Sequence, residues 1–255
     1  MKIAAIIQVR MGSIRLPGKS LSDIAGQSLL AHIIDRVRAS QRINEVVIAT
    51  TTGREDDELE ALALAKGVEI YRGSPDDVLD RYYQAATRVQ CDIVVRITAD
   101  DPFKDPTVID HIIDRLVADP QADYASNTLE PTYPEGLDVE VFTYHALSQA
   151  WMEAALPSER EHVTPYIWKN TQLFKVISVA QTPDLSHLRW TLDYPEDLEF
   201  TRAVYSRLYQ GALFSTQQIL DLLDREPALA QINNQFIRNA GYLNSVQNET
   251  KKPSL

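Results

Sequence analysis

A basic segment that contains glycine follows the first apolar run of the chain. Residues 8–20 read Gln-Val-Arg-Met-Gly-Ser-Ile-Arg-Leu-Pro-Gly-Lys-Ser. Glycines let backbone N–H groups approach phosphate oxygens, arginine offers them a planar pair of donors, and lysine offers a compact positive charge. The whole chain has a formal net charge of -11, so this local group of cations stands out. We predict that residues 8–20 bind a polyphosphate; the alternative is a basic surface loop with a Pro-Gly turn.

The same segment resembles the phosphate-binding motif of P-loop enzymes, G-x-x-x-x-G-K-[ST]. Five residues rather than four separate Gly12 from Gly18. In addition, Pro17 removes a backbone donor where the P-loop cradle uses N–H groups. A P-loop kinase or NTPase is therefore the less favoured alternative.

Two groups of carboxylates follow apolar runs farther along the chain. Asp100 and Asp101 come directly after Ile93–Thr98, and Asp193 ends another short apolar segment just before Pro195. Mg²⁺ prefers one or two carboxylates together with phosphate oxygens and waters. The first pair could instead cap the helix that follows it, and the residues alone leave both interpretations open. The presence of Asp193 as a second candidate favours a metal site.

Strand-like and helix-like segments alternate along most of the chain, and they must position these residues. The helical segments repeat apolar residues at three and four positions, near residues 29–37, 59–66 and 108–116. This alternation predicts a three-layer α/β fold, a mostly parallel sheet with helices on both faces. Ligands of such sheets bind at the carboxyl ends of the strands. The candidate strands are Ile3–Val9, Val46–Thr51, Val68–Tyr71, Ile93–Thr98, Val139–Phe142 and Phe174–Val179.

The organisation changes after about residue 209. We predict an α/β domain over residues 1–209, a helical appendage over residues 210–243 and a disordered tail over residues 244–255. The tail is polar and carries almost no apolar side chains.

Composition excludes several classes of protein. A chain of 255 residues, 44% of them hydrophobic, buries one substantial core. The net charge of -11 gives no reason to bind nucleic acid or an anionic membrane, and no apolar run approaches the ~20 residues of a membrane-spanning helix. The single Cys91 excludes an intramolecular disulfide and a multi-cysteine zinc site. We expect a soluble, cytoplasmic protein.

The loop closely resembles the opening of the sugar-acid cytidylyltransferases, which include the acylneuraminate and 3-deoxy-manno-octulosonate cytidylyltransferases. The likeness rests on the residues at 8–13 and 15–19, and it is closer to the branch of the spore-coat polysaccharide biosynthesis protein F. It extends to an Asp before a Pro in mid-chain and to the late Asp-x-Pro-Glu-Asp-Leu at 193–198. The resemblance implies the Rossmann-like fold of nucleotide-diphospho-sugar transferases and a homodimer, with residues 127–140 as the candidate dimer segment.

The resemblance also implies roles for individual residues. The triphosphate of CTP would be bound by Arg10, Gly12, Ser13, Arg15 and Lys19. Asp100 and Asp193 would hold Mg²⁺, and these two aspartates with Arg10 and Lys19 are the predicted catalytic residues.

Further residues are weaker candidates. Arg72, Ser74 and Arg81 are expected beside the nucleotide, although Ser74 could simply cap a helix that begins near Pro75. The residues expected to bind the acceptor are Asn127, Glu135, Asp138, Glu140, His162 and Arg189. Alternatively, these residues belong to a polar connection that leads into a strand, and His162 makes an ordinary polar contact.

The predicted reaction is transfer of CMP from CTP to an acidic sugar, with release of pyrophosphate, in the synthesis of a surface polysaccharide or glycoconjugate. Two alternatives remain open. One is a nucleotide-sugar-dependent glycosyltransferase of related fold, although the usual Asp-x-Asp motif is absent. The other is a non-catalytic relative that binds nucleotide.

Overall fold

The computed structural model describes residues 1–13 and 15–251. Within them, a seven-stranded sheet lies between two layers of helices, which confirms the three-layer α/β prediction. The strands are β1 (Ile3–Gln8), β2 (Asp23–Ile24), β3 (Gln27–Ser28), β4 (Glu45–Thr51), β5 (Glu69–Gly73), β6 (Ile93–Thr98), β7 (Tyr124–Ser126), β8 (Glu140–Thr143) and β9 (Val176–Ser178).

The helices fill the intervals between the strands and the C-terminal part of the chain. They are α1 (Leu29–Arg38), α2 (Asp57–Lys66), α3 (Val78–Val89), α4 (Pro106–Val117), α5 (Tyr144–Glu153), α6 (Pro157–His162), α7 (Pro165–Lys169), α8 (Pro195–Leu208), α9 (Thr216–Arg225) and α10 (Ala240–Lys251). In the described part of the chain, none of them combines the length and the apolar character needed to cross a membrane.

The strand order brings the loop after β1 next to the end of β6. The order is β5-β4-β1-β6-β8-β7-β9, and β5, β4, β1 and β6 are parallel. In register, Gln8 lies opposite both Ala49 and Thr98, so the chain leaves β1, β4 and β6 at one edge of the sheet. Strand β8 runs antiparallel to β6 and therefore begins at this same edge. The hairpin β2–β3 forms a separate two-stranded sheet.

The central strand β1 is apolar on both faces because helices cover both. Ala5 and Ile7 pack with the apolar stripes of α1, α4, α8 and α9. Ala4 and Ile6 point the other way and pack with α3 and α5. Near-continuous apolar strands of this kind are typical of a parallel sheet that is buried on both sides.

Two helix starts differ from the sequence prediction. Helix α3 begins at Val78 and is capped by Asp77, whose side chain accepts from the backbone N–H of Asp80; the start near Pro75 is wrong. Helix α4 is capped by Asp105, which accepts from the Thr107 N–H at 2.9 Å. The carboxylates just after β6 are therefore not the cap of α4.

The C-terminal part of the chain belongs to the main core. Phe214, Ile219 and Leu222 are buried in the same cluster as α1 and α4. The prediction that residues 244–255 are disordered is wrong for residues 244–251, which lie in α10, while residues 252–255 lie outside the described part. Low apolar content suggested disorder, but polar contacts hold this helix against α6: Ser245 Oγ lies 3.0 Å from His162 Nε2, and Glu249 accepts from the Ser158 hydroxyl at 2.9 Å.

Candidate active site

Three of the predicted residues meet at one point. The Nζ of Lys19 donates to Asp100 Oδ2 at 3.1 Å and to Asp193 Oδ1 at 2.8 Å. It also donates to the backbone carbonyl of Leu192 at 2.8 Å. One ammonium group therefore holds together the two carboxylates that were predicted to bind a metal.

The turn that delivers Lys19 depends on glycine. Gly18 has a φ of 71°, in the left-handed region, and Lys19–Leu21 form a short 3-10 turn directly after it. The chain then passes through the hairpin β2–β3 before α1 begins at Leu29. A P-loop lysine lies at the start of the helix that follows the loop. The P-loop alternative is therefore wrong.

Asp193 reaches the site from a loop. In the apolar segment before it, from Arg189 to Leu192, the structure forms only an isolated bridge, between Glu135 and Arg189. The segment is instead fastened to the end of β6: the Leu192 N–H donates to the carbonyl of Asp100 at 2.7 Å. This bond sets the spacing between the two aspartates.

Charge within this triad stabilises the ionised forms. Burial by itself would raise the pKa of Asp100, but the Lys19 ammonium outweighs it and holds that pKa below its usual value. Burial likewise disfavours a charged Lys19, yet Asp100 and Asp193 outweigh it and raise the Lys19 pKa. Lys19 and Asp100 are therefore both charged at neutral pH.

The predicted phosphate loop presents further cations beside the triad. Arg15 donates through Nη2 to Asp193 Oδ1 at 2.7 Å, and its guanidinium carbon lies 5.4 Å from the centre of the Tyr194 ring. Arg10 is exposed and forms no hydrogen bond or ion pair with any residue that the structure describes. Gly12 is exposed and Ser13 half-buried, so the loop leaves its surface open to a ligand.

A buried carboxylate that sequence reasoning missed anchors this loop. Asp56 is fully buried and accepts from the Met11 N–H at 2.8 Å, from the Thr50 hydroxyl at 3.0 Å and from the Thr51 N–H at 3.1 Å. Burial opposes its charge, but these donors, with the Thr51 hydroxyl foremost, lower the Asp56 pKa. Its position just after the carboxyl end of β4 was the available signal.

Arg72, Ser74 and Arg81 lie apart from the triad. Arg72 donates to Asp57 and to the Thr51 and Gly53 carbonyls, at 2.6 to 2.8 Å. Arg81 is buried and donates to the Ser74 carbonyl at 2.7 Å. Their contact with a nucleotide stays a prediction, but both guanidinium groups already have protein partners.

A cavity of about 470 Å³ opens next to the two aspartates, toward β6 and β8. It is lined by Gln8 and Arg15, by side chains of β6 and β8, and by parts of residues 128–138, 162–168, 189–194 and 237–242. Five of the six predicted acceptor residues line it: Glu135, Asp138, Glu140, His162 and Arg189. Asn127 instead is fully buried and binds the backbone of Leu137 and Val139, which positions the segment that carries the acidic residues.

Glu140 is paired with an arginine that the sequence analysis did not identify. Arg96, on β6, binds Glu140 through Nη1, and Tyr124 and Thr164 donate their hydroxyls to the same carboxylate. The Arg96 Nε is buried without a hydrogen-bond partner among the described residues. Burial, with the Arg96 charge next, lowers the pKa of the neighbouring His162, so this imidazole is neutral at pH 7.

Arg189 stabilises the floor of the cavity. Its Nε and Nη2 donate to the two oxygens of Asp197 at 2.9 Å each, and its Nη1 donates to Glu135 at 2.8 Å. Asn233 donates to Asp197 as well, at 2.8 Å. Asp197 lies in the first turn of α8 and also accepts from the Asp193 N–H at 2.9 Å. Arg189 thus positions Asp193 through this shared carboxylate.

Asp101 and Asp138 belong to a second buried ion network. The Nζ of Lys104 lies 2.8 Å from Asp101 Oδ2, and the Thr98 hydroxyl donates to the same oxygen at 2.7 Å. Lys104 also donates to the Asp138 carbonyl, and Arg238 pairs with the Asp138 side chain. Burial raises the pKa of Asp101 to about 6. Asp101 therefore pairs with Lys104, whereas Asp100 pairs with Lys19.

The geometry defines a class of protein. A parallel α/β sheet carries a basic, open loop after its first strand, and two carboxylates lie beside a cavity at the same edge. This arrangement suits a nucleotide and a second, smaller substrate.

Comparison with known proteins identifies the family. Residues 4–222 match the model of the family described as Cytidylyltransferase. The chain is 34% identical to the spore coat polysaccharide biosynthesis protein SpsF of Bacillus subtilis, over 89% of this chain and 96% of that protein. It is 28% identical to 3-deoxy-manno-octulosonate cytidylyltransferase of Chlamydia trachomatis, over 83% and 87%. A solved cytidylyltransferase from Leptospira borgpetersenii superposes with a TM-score of 0.87 at 33% identity, over 94% of this chain and all of that one. The chain belongs to the sugar-acid cytidylyltransferase family and is a nucleotidyltransferase.

Proposed function

We propose that this enzyme transfers CMP from CTP to an acidic sugar and releases pyrophosphate, as a step in making a surface polysaccharide or glycoconjugate. The observation that carries the proposal is the Lys19 ammonium bound to both Asp100 and Asp193. This triad lies between the basic loop and the cavity, which is where two substrates would meet. The nucleotide would occupy the loop side and the acceptor the side of β6 and β8.

The loop side suits a triphosphate. Arg10 is free of protein partners among the described residues, and Arg15 uses one nitrogen on Asp193 and keeps donors for a ligand. Lys19 adds charge beside them. Such preorganised cations would stabilise the charge that develops on the departing pyrophosphate. The choice of CTP rests on family membership.

The two aspartates fit Mg²⁺. Lys19 occupies the point on which Asp100 Oδ2 and Asp193 Oδ1 converge, so Mg²⁺ would bind through the second oxygen of each carboxylate. Within the described residues, no cluster of three or more His, Cys, Asp or Glu side chains could hold a metal. Mg²⁺ commonly binds through one or two carboxylates and completes its shell with substrate phosphates and water. When bound, it supplies positive charge to the phosphate groups.

The acceptor side supports an anionic sugar. Each acid of the cavity already has a basic partner, but Arg96 has an unpaired Nε on the guanidinium edge that does not bind Glu140. A buried N–H without an acceptor is costly, and a carboxylate on that edge would satisfy it. We propose Arg96 as the cation that recognises the acidic group.

The residues act mainly by alignment. The acceptor hydroxyl attacks the α-phosphorus of CTP in line with the pyrophosphate. A new P–O bond forms, the bond to pyrophosphate breaks, and the hydroxyl proton passes to water. Arg10, Arg15 and Lys19 bind the phosphates, and Asp56 and Gly18 fix the loop that presents them. Transfer of this type asks a protein chiefly for positioning and charge stabilisation.

Pyrophosphate release tests the proposal. CTP, UTP, ATP and GTP would each be mixed with Mg²⁺, the enzyme and either 3-deoxy-manno-octulosonate or N-acetylneuraminate. We expect release that requires both CTP and an acid. Asp193→Asn should lower the rate at least about 100-fold, because Asp193 holds Lys19 and Arg15 and would hold Mg²⁺, the cations that stabilise the transition-state charge. Asp184→Asn, a change at an exposed aspartate on the preceding loop, should leave the rate unchanged. Preference for ATP, or release without any acceptor, would overturn the proposal.

We also propose a homodimer. Most of the segment that we expected at the interface, residues 127–140, is buried within the chain itself. Glu130 and Pro131 are its exposed residues and would have to make the contact. Light scattering of the purified protein measures the oligomeric state directly.

A further inference from the structure

Part of the segment 236–242, called the strap here, lines the cavity and lies beyond the residues that match the family model. The family match ends at residue 222. Ile237 and residues 239–242 nevertheless form one wall of the cavity. Because it faces the cavity, the strap is suited to determine which acceptor binds.

The strap is fastened to the acceptor side. The ring of Phe236 stacks on Tyr194 with centroids 3.9 Å apart, and the Asn239 N–H donates to Glu135 at 3.0 Å. Arg238 donates to the Tyr133 carbonyl at 2.9 Å and pairs with Asp138. Asn239 adopts a positive φ of 57°, which asparagine tolerates better than most residues. Arg238 is paired with Asp138 and does not line the cavity, so the part of the strap that faces the cavity carries no charged side chain.

The surface that the strap presents is largely apolar. Ile237 is 72% exposed and lines the cavity. Tyr242 packs edge-on against His162, with centroids 5.2 Å apart, and against Trp168 at 6.0 Å. Leu129 also lines the cavity. An exposed apolar group at a binding site indicates an apolar part of the ligand.

The cavity therefore has one anion-binding edge, at Arg96, and one apolar wall. A sugar acid that carried only hydroxyl groups would place some of them against this wall, where they lose hydrogen bonds to water. An N-acyl group would place a methyl group there instead.

We propose that the strap is the element that determines acceptor specificity, and that it selects an N-acylated sugar acid over one whose ring carries only hydroxyl groups. This inference rests on the proposed function for the identity of the cavity as the acceptor site. Ile237 and Tyr242 are its specificity-determining residues.

The test compares two acids, N-acetylneuraminate and 3-deoxy-manno-octulosonate. For each, kcat/KM would be measured by pyrophosphate release, with the KM for CTP as an internal control, and equilibrium binding would be measured by calorimetry. The variants are Ile237→Ser and Tyr242→Ala, with Leu243→Ala as the matched control. Leu243 lies on the same helix as Tyr242, is 47% exposed and does not line the cavity. Because Ile237 is mostly exposed, its replacement should not unfold the protein even if the change at Tyr242 does.

We expect the wild-type enzyme to prefer N-acetylneuraminate at least 10-fold. Ile237→Ser and Tyr242→Ala should each reduce that preference at least 5-fold and leave the KM for CTP within 2-fold. Leu243→Ala should keep it. A preference for 3-deoxy-manno-octulosonate, no binding of N-acetylneuraminate, or a preference unchanged in Ile237→Ser would overturn the inference. If N-acetylneuraminate binds in a strap-dependent way but no pyrophosphate is released, the proposed function fails and the specificity of the strap stands.

Discussion

Replacing Lys19 with methionine removes the ammonium that joins Asp100 to Asp193. The lysine side chain is 11% exposed and the two carboxylates 31% and 19%. Breaking a fully buried ion pair costs about 3–5 kcal/mol. Here the carboxylates are partly hydrated and Arg15 still contacts Asp193, so we expect unfolding free energy to fall by roughly 2–3 kcal/mol at pH 7. We expect kcat/KM to fall about 10²- to 10³-fold, because the positive charge that holds both aspartates beside the phosphate loop is lost.

The sign of the pH dependence follows from Asp100. Lys19 holds its pKa below the usual value, so the stabilisation is present at neutral pH and is lost as pH falls through that lowered pKa. The difference in stability between wild type and Lys19→Met should therefore be largest near neutral pH and shrink on acidification. Urea unfolding over a pH series measures this difference.

A matched variant separates the site from general effects of losing a lysine. Lys66 forms an ion pair with Asp35 at 2.8 Å on the far side of α1, with its side chain 23% exposed. Lys66→Met should cost at most about 1 kcal/mol, the usual range for partly exposed pairs, and should not change kcat/KM. If the kcat/KM of Lys19→Met lies within threefold of that of Lys66→Met, Lys19 does not belong to the reaction centre.

Two further substitutions test supports of the site, and a labelling experiment tests the burial of Cys91. Asp56→Asn should destabilise the protein by about 2 kcal/mol at pH 7 and raise the KM for CTP, because an amide cannot accept from all the groups that donate to Asp56. The pKa of Asp56 is lowered, so the stability difference between wild type and variant should disappear as pH falls below that pKa. An unchanged KM would contradict the anchoring role. Arg189→Met leaves the fully buried Asp197 without its bidentate partner and should cost about 3–5 kcal/mol in chemical denaturation, whereas a loss below about 1 kcal/mol would show that the pair is unimportant. Burial raises the pKa of Cys91 to about 11, so iodoacetamide at pH 7.5 should label it only after denaturation, and rapid labelling of the native protein would contradict its burial.

Local sequence signals were sufficient for the part of the site built by strand ends. Gln8, Thr98 and Asp100 follow from the pattern of parallel strands, because such strands end at one edge of a sheet. Lys19 followed from the composition of the loop. Each of these residues lies close in sequence to the element that positions it.

The remaining contacts join parts of the chain that no local pattern connects. Arg96 and Glu140 face each other only because β8 runs antiparallel beside β6. The prediction of a mostly parallel sheet did not include this antiparallel pair of strands. Asp193 reaches Lys19 from a loop, through a bond between Leu192 and the end of β6. Arg72 carried the charge expected of a nucleotide contact, but its neighbours neutralise it.

The C-terminal helix shows that polar composition alone does not predict disorder. Its polar sequence predicted disorder because few side chains could enter a core. Helix α10 is instead held by polar contacts at its surface, through Ser245 and Glu249, and by the ring of Tyr242. Pairing of this kind depends on α6 being in place and leaves no hydrophobic pattern in the sequence.

Phosphorus NMR of one reaction mixture tests the central claim, that Lys19, Asp100 and Asp193 are the centre of CMP transfer from CTP to a sugar acid. The mixture would contain CTP, Mg²⁺, N-acetylneuraminate and the enzyme. We predict that pyrophosphate and a CMP phosphodiester of the sugar appear in equal amounts, and that both form at least about 100-fold more slowly with Asp193→Asn. Formation of CDP and inorganic phosphate, or an undiminished phosphodiester signal with Asp193→Asn, would contradict the claim.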